Sequence, residues 1–187
     1  KLPIKKFASQ STTHVSFLDK IGELDGLKGL SYADFIKNAN AKKFIENGAI
    51  KNLTDGYNLN IERLLDLDPE FIFMYPFDQK VLNNVKEHIT SVLTTEYLET
   101  SPLAKAEWIK FFALFFNQEE KANLLFSEIE KRYLTHKKKI ISEKIAFLNL
   151  PFQNKWNSAP GNSYTAELLK DAGINYIYKN KDNNISL

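Results

Sequence analysis

Apolar positions along the chain come in short runs divided by polar, hydroxyl-bearing stretches, and the spacing within the runs alternates between two kinds. Phe7 and Ala8 form a short run before Ser11; from residue 12 to Gly22 the spacing turns helical, with Val15, Phe17, Leu18 and Ile21 on one side. This predicts strand, polar turn, helix. A second cycle follows: a strand over residues 27–30, a polar stretch from Ser31, and a helix over residues 41–47 closed by Gly48. Asn60 is placed to cap a short helix in which Ile61, Leu64 and Leu65 point inward, Glu62 faces the positive end of the helix dipole, and Pro69 marks the end. Residues 71–75, Phe-Ile-Phe-Met-Tyr, are apolar without a break, which predicts a strand covered on both faces and hence a parallel sheet between helices. A helix over residues 80–88 and a β-rich run over residues 89–95 complete the alternation of an α/β lobe.

From Ser101 the pattern becomes helical. Ser101-Pro102 reads as a cap and a first-turn proline before Leu103, Ala106, Ile109 and Phe112 in helical register. After Asn117, Gln118-Glu119-Glu120 opens a long helix with Ala122, Leu125, Phe126, Ile129 and Tyr133 on one face. Lys137-Lys138-Lys139 closes it, a cationic end suited to the dipole and expected to be solvated. A strand over residues 144–150, a polar and aromatic loop over 151–162, a helix over 163–172 and a strand over 174–178 then form one βαβ unit, with a polar tail over residues 179–184. Two strands and a helix make a small core, so the expectation is a second lobe that is incomplete in this chain.

Composition narrows the classes. Of 187 residues 43% are apolar, with 14 Phe and 8 Tyr against 7 Gly and 6 Pro, enough to build a packed core and to exclude disorder for most of the chain. The net charge is +2, and every basic residue except Arg63 and Arg132 is a lysine scattered among carboxylates, which sets nucleic-acid binding aside. With no cysteine, disulfides, thiolate metal sites and cysteine nucleophiles are excluded together. The longest apolar run, residues 111–116, is far short of the roughly 20 residues that cross a bilayer. No signal segment is visible, and a start at Lys1 is compatible with a processed precursor.

In open α/β sheets the loops leaving the carboxyl ends of the strands converge on a crevice, so candidate binding residues are sought there. Ser11, Thr12, Thr13 and His14 follow the first strand, Tyr57 and Asn58 precede the third helix, Tyr75 ends the apolar strand, and Tyr97 follows the last strand of the first lobe. Trp156, Asn162 and Tyr164 lie in the second-lobe loop. Two aromatic loop sets looking onto one cleft suit a bulky, partly apolar ligand, with Thr12, Thr13, His14, Tyr57, Tyr75 and Tyr97 on one wall and Trp156 and Tyr164 on the other. An enzyme reading finds no support: there is no paired-histidine zinc spacing, Gly22, Gly26 and Gly29 form no dinucleotide fingerprint, and the pairs Asp66 with Asp68 and Glu119 with Glu120 suit helix termini.

Ser11-Thr12-Thr13-His14 with Phe17-Leu18, Asn60-Ile61-Glu62-Arg63-Leu64-Leu65, and Leu67-Asp68-Pro69-Glu70-Phe71-Ile72 together resemble the ABC-transporter substrate-binding proteins for iron-siderophore, haem and cobalamin ligands. The resemblance continues through Ser101-Pro102-Leu103, Trp108, Pro160-Gly161-Asn162-Ser163-Tyr164 and Leu168 to Gly173. It implies two Rossmann-like α/β lobes with parallel sheets joined by a single long helix, here placed as residues 1–116, an interlobe helix over 117–139, and a partial lobe over 140–187. It further implies a monomer held outside the cytoplasm, periplasmic or lipid-anchored through a processed N-terminus, without a resident cofactor, passing its ligand to a membrane permease. Such proteins dock through one exposed acid per lobe. Asp78 is the candidate in the first lobe, and the matching second-lobe position falls beyond Leu187. Glu70 stands where the family commonly has Asp.

Residue types bear on the ligand. Tricatecholate siderophores concentrate negative charge and call for converging Arg or Lys donors; Arg63 and Arg132 are on helices expected to lie away from the crevice, leaving Lys155 nearest. A less anionic ligand is expected: haem, a corrinoid or a hydroxamate chelate. A Tyr or His14 could reach haem iron, though for His14 a local hydrogen bond is the stronger expectation. An interaction or sensing protein that keeps the bilobal fold without transport is the alternative.

Overall fold

The computed structural model describes residues 1–137, 145–146, 149, 153–183 and 185–186. The chain forms two compact units, the first of residues 1–95 and 108–123, the second of residues 96–107 and 124–187.

The first unit opens with β1 (Phe7–Ser9), α1 (His14–Ile21), β2 (Leu27–Leu30), α2 (Ala39–Glu46) and β3 (Lys51–Asn52). There follow β4 (Thr54–Asp55), β5 (Asn58–Leu59), α3 (Ile61–Asp66), β6 (Phe71–Met74), α4 (Gln79–Lys86) and β7 (Ser91–Leu93). A five-stranded sheet runs in the order β3-β2-β1-β6-β7, and all its pairings are parallel. From β1 the chain builds outward through β2 and β3, then returns to the other side of β1 for β6 and β7. The strand order therefore reverses between β1 and β6, which makes their carboxyl ends the switch point of the sheet.

The unbroken apolar strand is buried on both faces, as its pattern predicts. Phe71 and Phe73 point to one side, into a layer of rings with Phe7, Phe112, Phe115 and Phe116; Phe73 and Phe112 sit 4.8 Å apart, edge to face. Ile72 and Met74 point to the other, where Ala8, Leu53, Leu64, Leu82 and Val85 close around them. Gly29 lies against Leu53, whose nearer methyl carbon stands 2.8 Å from where a Cβ would be. Asn60 caps α3, its Oδ1 accepting from Arg63 N at 2.8 Å. Glu70 is structural: its Oε1 accepts from Lys5 N at 2.7 Å and Lys6 N at 3.1 Å, pinning the chain that enters β1.

α5 (Pro102–Ala113) and α6 (Glu119–His136) each divide between the units. The second unit also holds β8 (Ile145–Ala146), β9 (Asn157–Ser158), α7 (Tyr164–Asp171), β10 (Asn175–Tyr176) and β11 (Ile185–Ser186). β8 and β10 pair in parallel around α7, the anticipated βαβ arrangement, and β9 pairs with β11 antiparallel, a contact the sequence pattern does not announce. Of the lysine run, Lys137 is exposed, as expected of a solvated helix end, and its Nζ also pairs with Asp171 Oδ1 at 2.9 Å. Lys138 and Lys139, and most of the strand expected over residues 144–150, lie outside the described residues. No helix among the described residues is long and apolar enough to cross a membrane.

Candidate functional site

The switch point of the sheet is lined by hydroxyls. Ser11, Thr12 and Thr13 leave β1, and Tyr75 leaves β6 beside them. Tyr75 OH donates to Ser11 Oγ at 2.9 Å, Ser11 and Thr13 share a hydrogen bond of 2.7 Å between their hydroxyls, and Thr13 Oγ1 lies 3.3 Å from Tyr75 OH. Thr13 N also donates to Ser11 Oγ, at 3.2 Å. With both lone pairs of Ser11 Oγ taken, its own proton goes to Thr13 Oγ1, and the Thr13 proton is left with the long contact to Tyr75 or with an incoming acceptor. No side chain among the described residues caps α1, and Ser16 N in its first turn donates to Thr13 O at 3.3 Å. The arrangement offers donors to a ligand rich in oxygen acceptors. Tyr75 is further fixed by its N–H, which donates to Gln10 Oε1 at 3.0 Å.

His14 does not line this face. It has no exposed surface, and its ring nitrogens are engaged by Ser9 Oγ at 2.8 Å and Thr94 Oγ1 at 3.1 Å, with Phe73, Tyr75 and Phe112 packed on the ring. It is a positioning residue behind the wall, and iron coordination through either nitrogen would break a buried hydrogen bond. The expectation of a local hydrogen bond describes it better than that of a ligand contact. Thr12 is half-buried and Thr13 exposed in the β1–α1 loop.

Beside the hydroxyls, within the first unit, lies a cleft of about 110 Å³ lined by Gln10, Ser31, Tyr32, Thr54, Tyr57, Asn58, Leu59, Phe77, Asp78 and Val81. Tyr57 tops the β4–β5 hairpin, where Gly56 takes φ 61° and the Tyr57 ring is 90% exposed. Tyr32, at the carboxyl end of β2, is held at φ 57° by its N–H to Thr54 Oγ1 and its OH to Tyr57 O, each 3.1 Å. Asp78 caps α4, accepting from Val81 N at 3.0 Å, and lines the cleft. Tyr32 and Phe77 are absent from the sequence candidates. Tyr32 stands two residues past the end of β2 and Phe77 three past the end of β6, both beyond the strand-end position that singled out Tyr75, and Tyr32 lies in a stretch read as merely polar.

Arg63 is engaged away from the hydroxyls: Nη1 donates to Asn52 O at 2.8 Å and Nη2 pairs with Asp55 at 2.9 Å. Asn60 and then Arg63 hold the Asp55 carboxyl below the usual range. In the second unit, Tyr164 is the first residue of α7 and carries Lys105 Nζ 4.6 Å above its ring, a cation the sequence reading did not single out. Trp156 is half-buried just before β9, Lys155 beside it is exposed, and Tyr97, expected in the first lobe, belongs to the second unit. Tyr133 OH donates to Asp171 Oδ2 at 2.8 Å; burial and this carboxylate push the Tyr133 hydroxyl up. Burial would raise Asp171, but Lys137 and Tyr133 outweigh it and hold its carboxyl below the usual value. No group of three or more His, Asp or Glu among the described residues is placed to hold a metal ion.

Against known proteins, an uncharacterized lipoprotein of Methanocaldococcus jannaschii is 29% identical over 95% of this chain and 46% of its own length. The chain spans less than half the length of the curated relatives it matches. Among solved structures, the periplasmic haem-binding protein HutB of Vibrio cholerae superposes with TM-score 0.78 at 14% identity, covering 97% of this chain and 69% of that one. The periplasmic vitamin B12-binding protein BtuF of the same organism superposes with TM-score 0.68 at 15% identity, covering 99% and 71%. These likenesses agree with the α/β fold. A match to the periplasmic binding protein family runs over residues 9–186, nearly the whole chain, and the chain belongs to that family.

Proposed function

We propose that this protein captures a metal chelate, haem or a corrinoid outside the cytoplasm for an ABC importer, binding it in part on the strand ends of the first unit. The observation that carries the reading is the Tyr75–Ser11–Thr13 hydroxyl cluster at the switch point, where donors meet an aromatic wall. The names of the family and of the two superposed Vibrio cholerae proteins support the ligand class. The few arginines, engaged elsewhere or exposed, favour haem, a corrinoid or a hydroxamate chelate over a tricatecholate. Trp156 and Tyr164 are proposed as further ligand contacts from the second unit, with no catalytic step required of any residue. Monomeric action, delivery to a permease and a lipid anchor are parts of the same proposal.

The test is a panel of haem, cobalamin and ferric hydroxamates titrated against the fluorescence of Trp108 and Trp156. Saturable quenching by at least one, weakened in Tyr75→Ala with the fold intact by circular dichroism, is the expected result. Unchanged affinity in Tyr75→Ala would remove the strand-end site from the proposal.

A further inference from the structure

Lysines that leave full solvent exposure are ordinarily paired, and two of the half-buried ones here follow the rule: Lys6 pairs with Asp68, and Lys28 donates to Asp25 O. Lys105 does not. It is half-buried on α5 in the second unit, and among the described residues its ammonium meets neither carboxylate nor carbonyl, only the ring of Tyr164, 4.6 Å from the centroid. A ring face stabilises one side of an ammonium and leaves its N–H donors unspent. Tyr164 is half-buried too, and its hydroxyl takes no hydrogen bond from a described residue. Neither Lys105 Nζ nor Tyr164 OH is among the unpartnered polar atoms sealed off from solvent, so a group from outside can reach both.

Tyr164 is also firmly placed. Ser163 caps α7, its Oγ accepting from Ala166 N at 3.3 Å and donating to Pro160 O at 2.6 Å, and Gly161 packs so closely on Lys179 O that a Cβ would collide with it. Glu167, the carboxylate one turn along α7, is taken by Lys170 at 3.0 Å. A cationic donor and a phenolic donor thus share one fixed place in the second unit, with no acid of the unit assigned to them.

We propose that Lys105 and the Tyr164 hydroxyl together bind a carboxylate arm of the ligand, which selects haem among the ligand classes named above. The inference rests on the chelate-binding reading and deepens it. A carboxylate accepts from both donors at once and offsets the ammonium charge. Haem carries two propionates on one edge of a flat apolar ring. The peripheral side chains of a corrinoid are amides, and a ferric trihydroxamate core is uncharged, so neither brings a carboxylate to the lysine. One ammonium and one phenol suit that modest charge, whereas a tricatecholate calls for more cations than converge here.

The full chain is titrated with haem and with haem dimethyl ester, which keeps ring and iron and loses both carboxylates, in the same aqueous dimethyl sulfoxide and followed by Soret absorbance. Haem is expected to bind about tenfold more tightly than the ester. Lys105→Gln, with the fold intact by circular dichroism, should bring the two ligands close to equal, and Lys105→Arg should restore the preference. Lys170→Gln removes the same charge elsewhere in the unit and should leave the preference unchanged. Tyr164→Phe keeps the ring under the ammonium and should weaken haem severalfold, the ester less. Equal affinity of the parent for the two forms, or a preference that survives Lys105→Gln, overturns the subsite and leaves chelate capture standing. Failure of haem to bind while cobalamin or a ferric hydroxamate still quenches the tryptophans does the same. If nothing in that panel binds, the subsite and the chelate reading fall together.

Discussion

With no exposed surface and a hydroxyl on each ring nitrogen, His14 ties the start of α1 to β1 through Ser9 and to the residue after β7 through Thr94. Its replacement by Ala opens a cavity among Phe73, Tyr75 and Phe112 and removes two buried hydrogen bonds, leaving Ser9 Oγ with Ser11 and Thr94 Oγ1 with Met74 O, and is expected to cost about 3 kcal/mol in urea unfolding. Tyr75→Phe asks the complementary question. The ring keeps its packing and only the hydroxyl goes, so stability should move by less than about 1 kcal/mol while chelate affinity falls severalfold in a quenching titration. A variant that binds as well as the parent would show that the Ser11 and Thr13 hydroxyls suffice alone. The two residues also mark what a sequence conveys about a loop. Position after a strand identifies Ser11, Thr13 and Tyr75 correctly as neighbours, but whether a side chain at the start of a helix turns outward or into the core depends on packing partners far along the chain. For His14 those partners include Phe112 and Thr94.

At the scale of elements, caps and ion pairs set local stability. Asn60→Ala removes the acceptor for Arg63 N and should cost about 1 kcal/mol, seen as a lower thermal midpoint, and Asn60→Asp should also lower the midpoint, because it keeps the cap but sets a second carboxylate against Asp55, which accepts from Asn60 Nδ2 at 2.7 Å. The Asp171 carboxyl, held below its ordinary value of 3.8, contributes stability that is complete above that value and is lost as pH falls through its folded pKa. Lys137, held above 10.5, contributes up to that pH and loses its share above it. Asp171→Asn should therefore lower stability by about 1 kcal/mol at neutral pH and flatten the acid side of the stability profile, as read from urea midpoints between neutral and strongly acid pH. The strand–helix alternation of the first unit was legible because Phe71 to Met74 and the helix faces repeat with clear periods. The β4–β5 hairpin and the β9–β11 pair were not, because two-residue strands carry no period and form only where the surrounding chain presents an edge. Tyr32 escaped for a related reason: its left-handed backbone is held by Thr54 and Tyr57, which the sequence separates from it by more than twenty residues.

For the whole molecule, the order in which the chain visits its two units governs what can stand alone. It lays down residues 1–95 in the first, 96–107 in the second, and then comes back with 108–123 to the first. The returning segment is not peripheral. Phe112 and Phe116 are almost fully buried against Phe73 and Phe7, so one face of the parallel sheet is finished only by residues that follow an excursion into the other unit. A chain ending at Thr95 would expose Phe7, Phe71 and Phe73 together and should aggregate or bind a hydrophobic dye rather than fold. The same holds on the ribosome: the sheet cannot close as its last strand emerges, and the nascent chain must shelter an uncovered aromatic layer until Phe116 has cleared the exit tunnel.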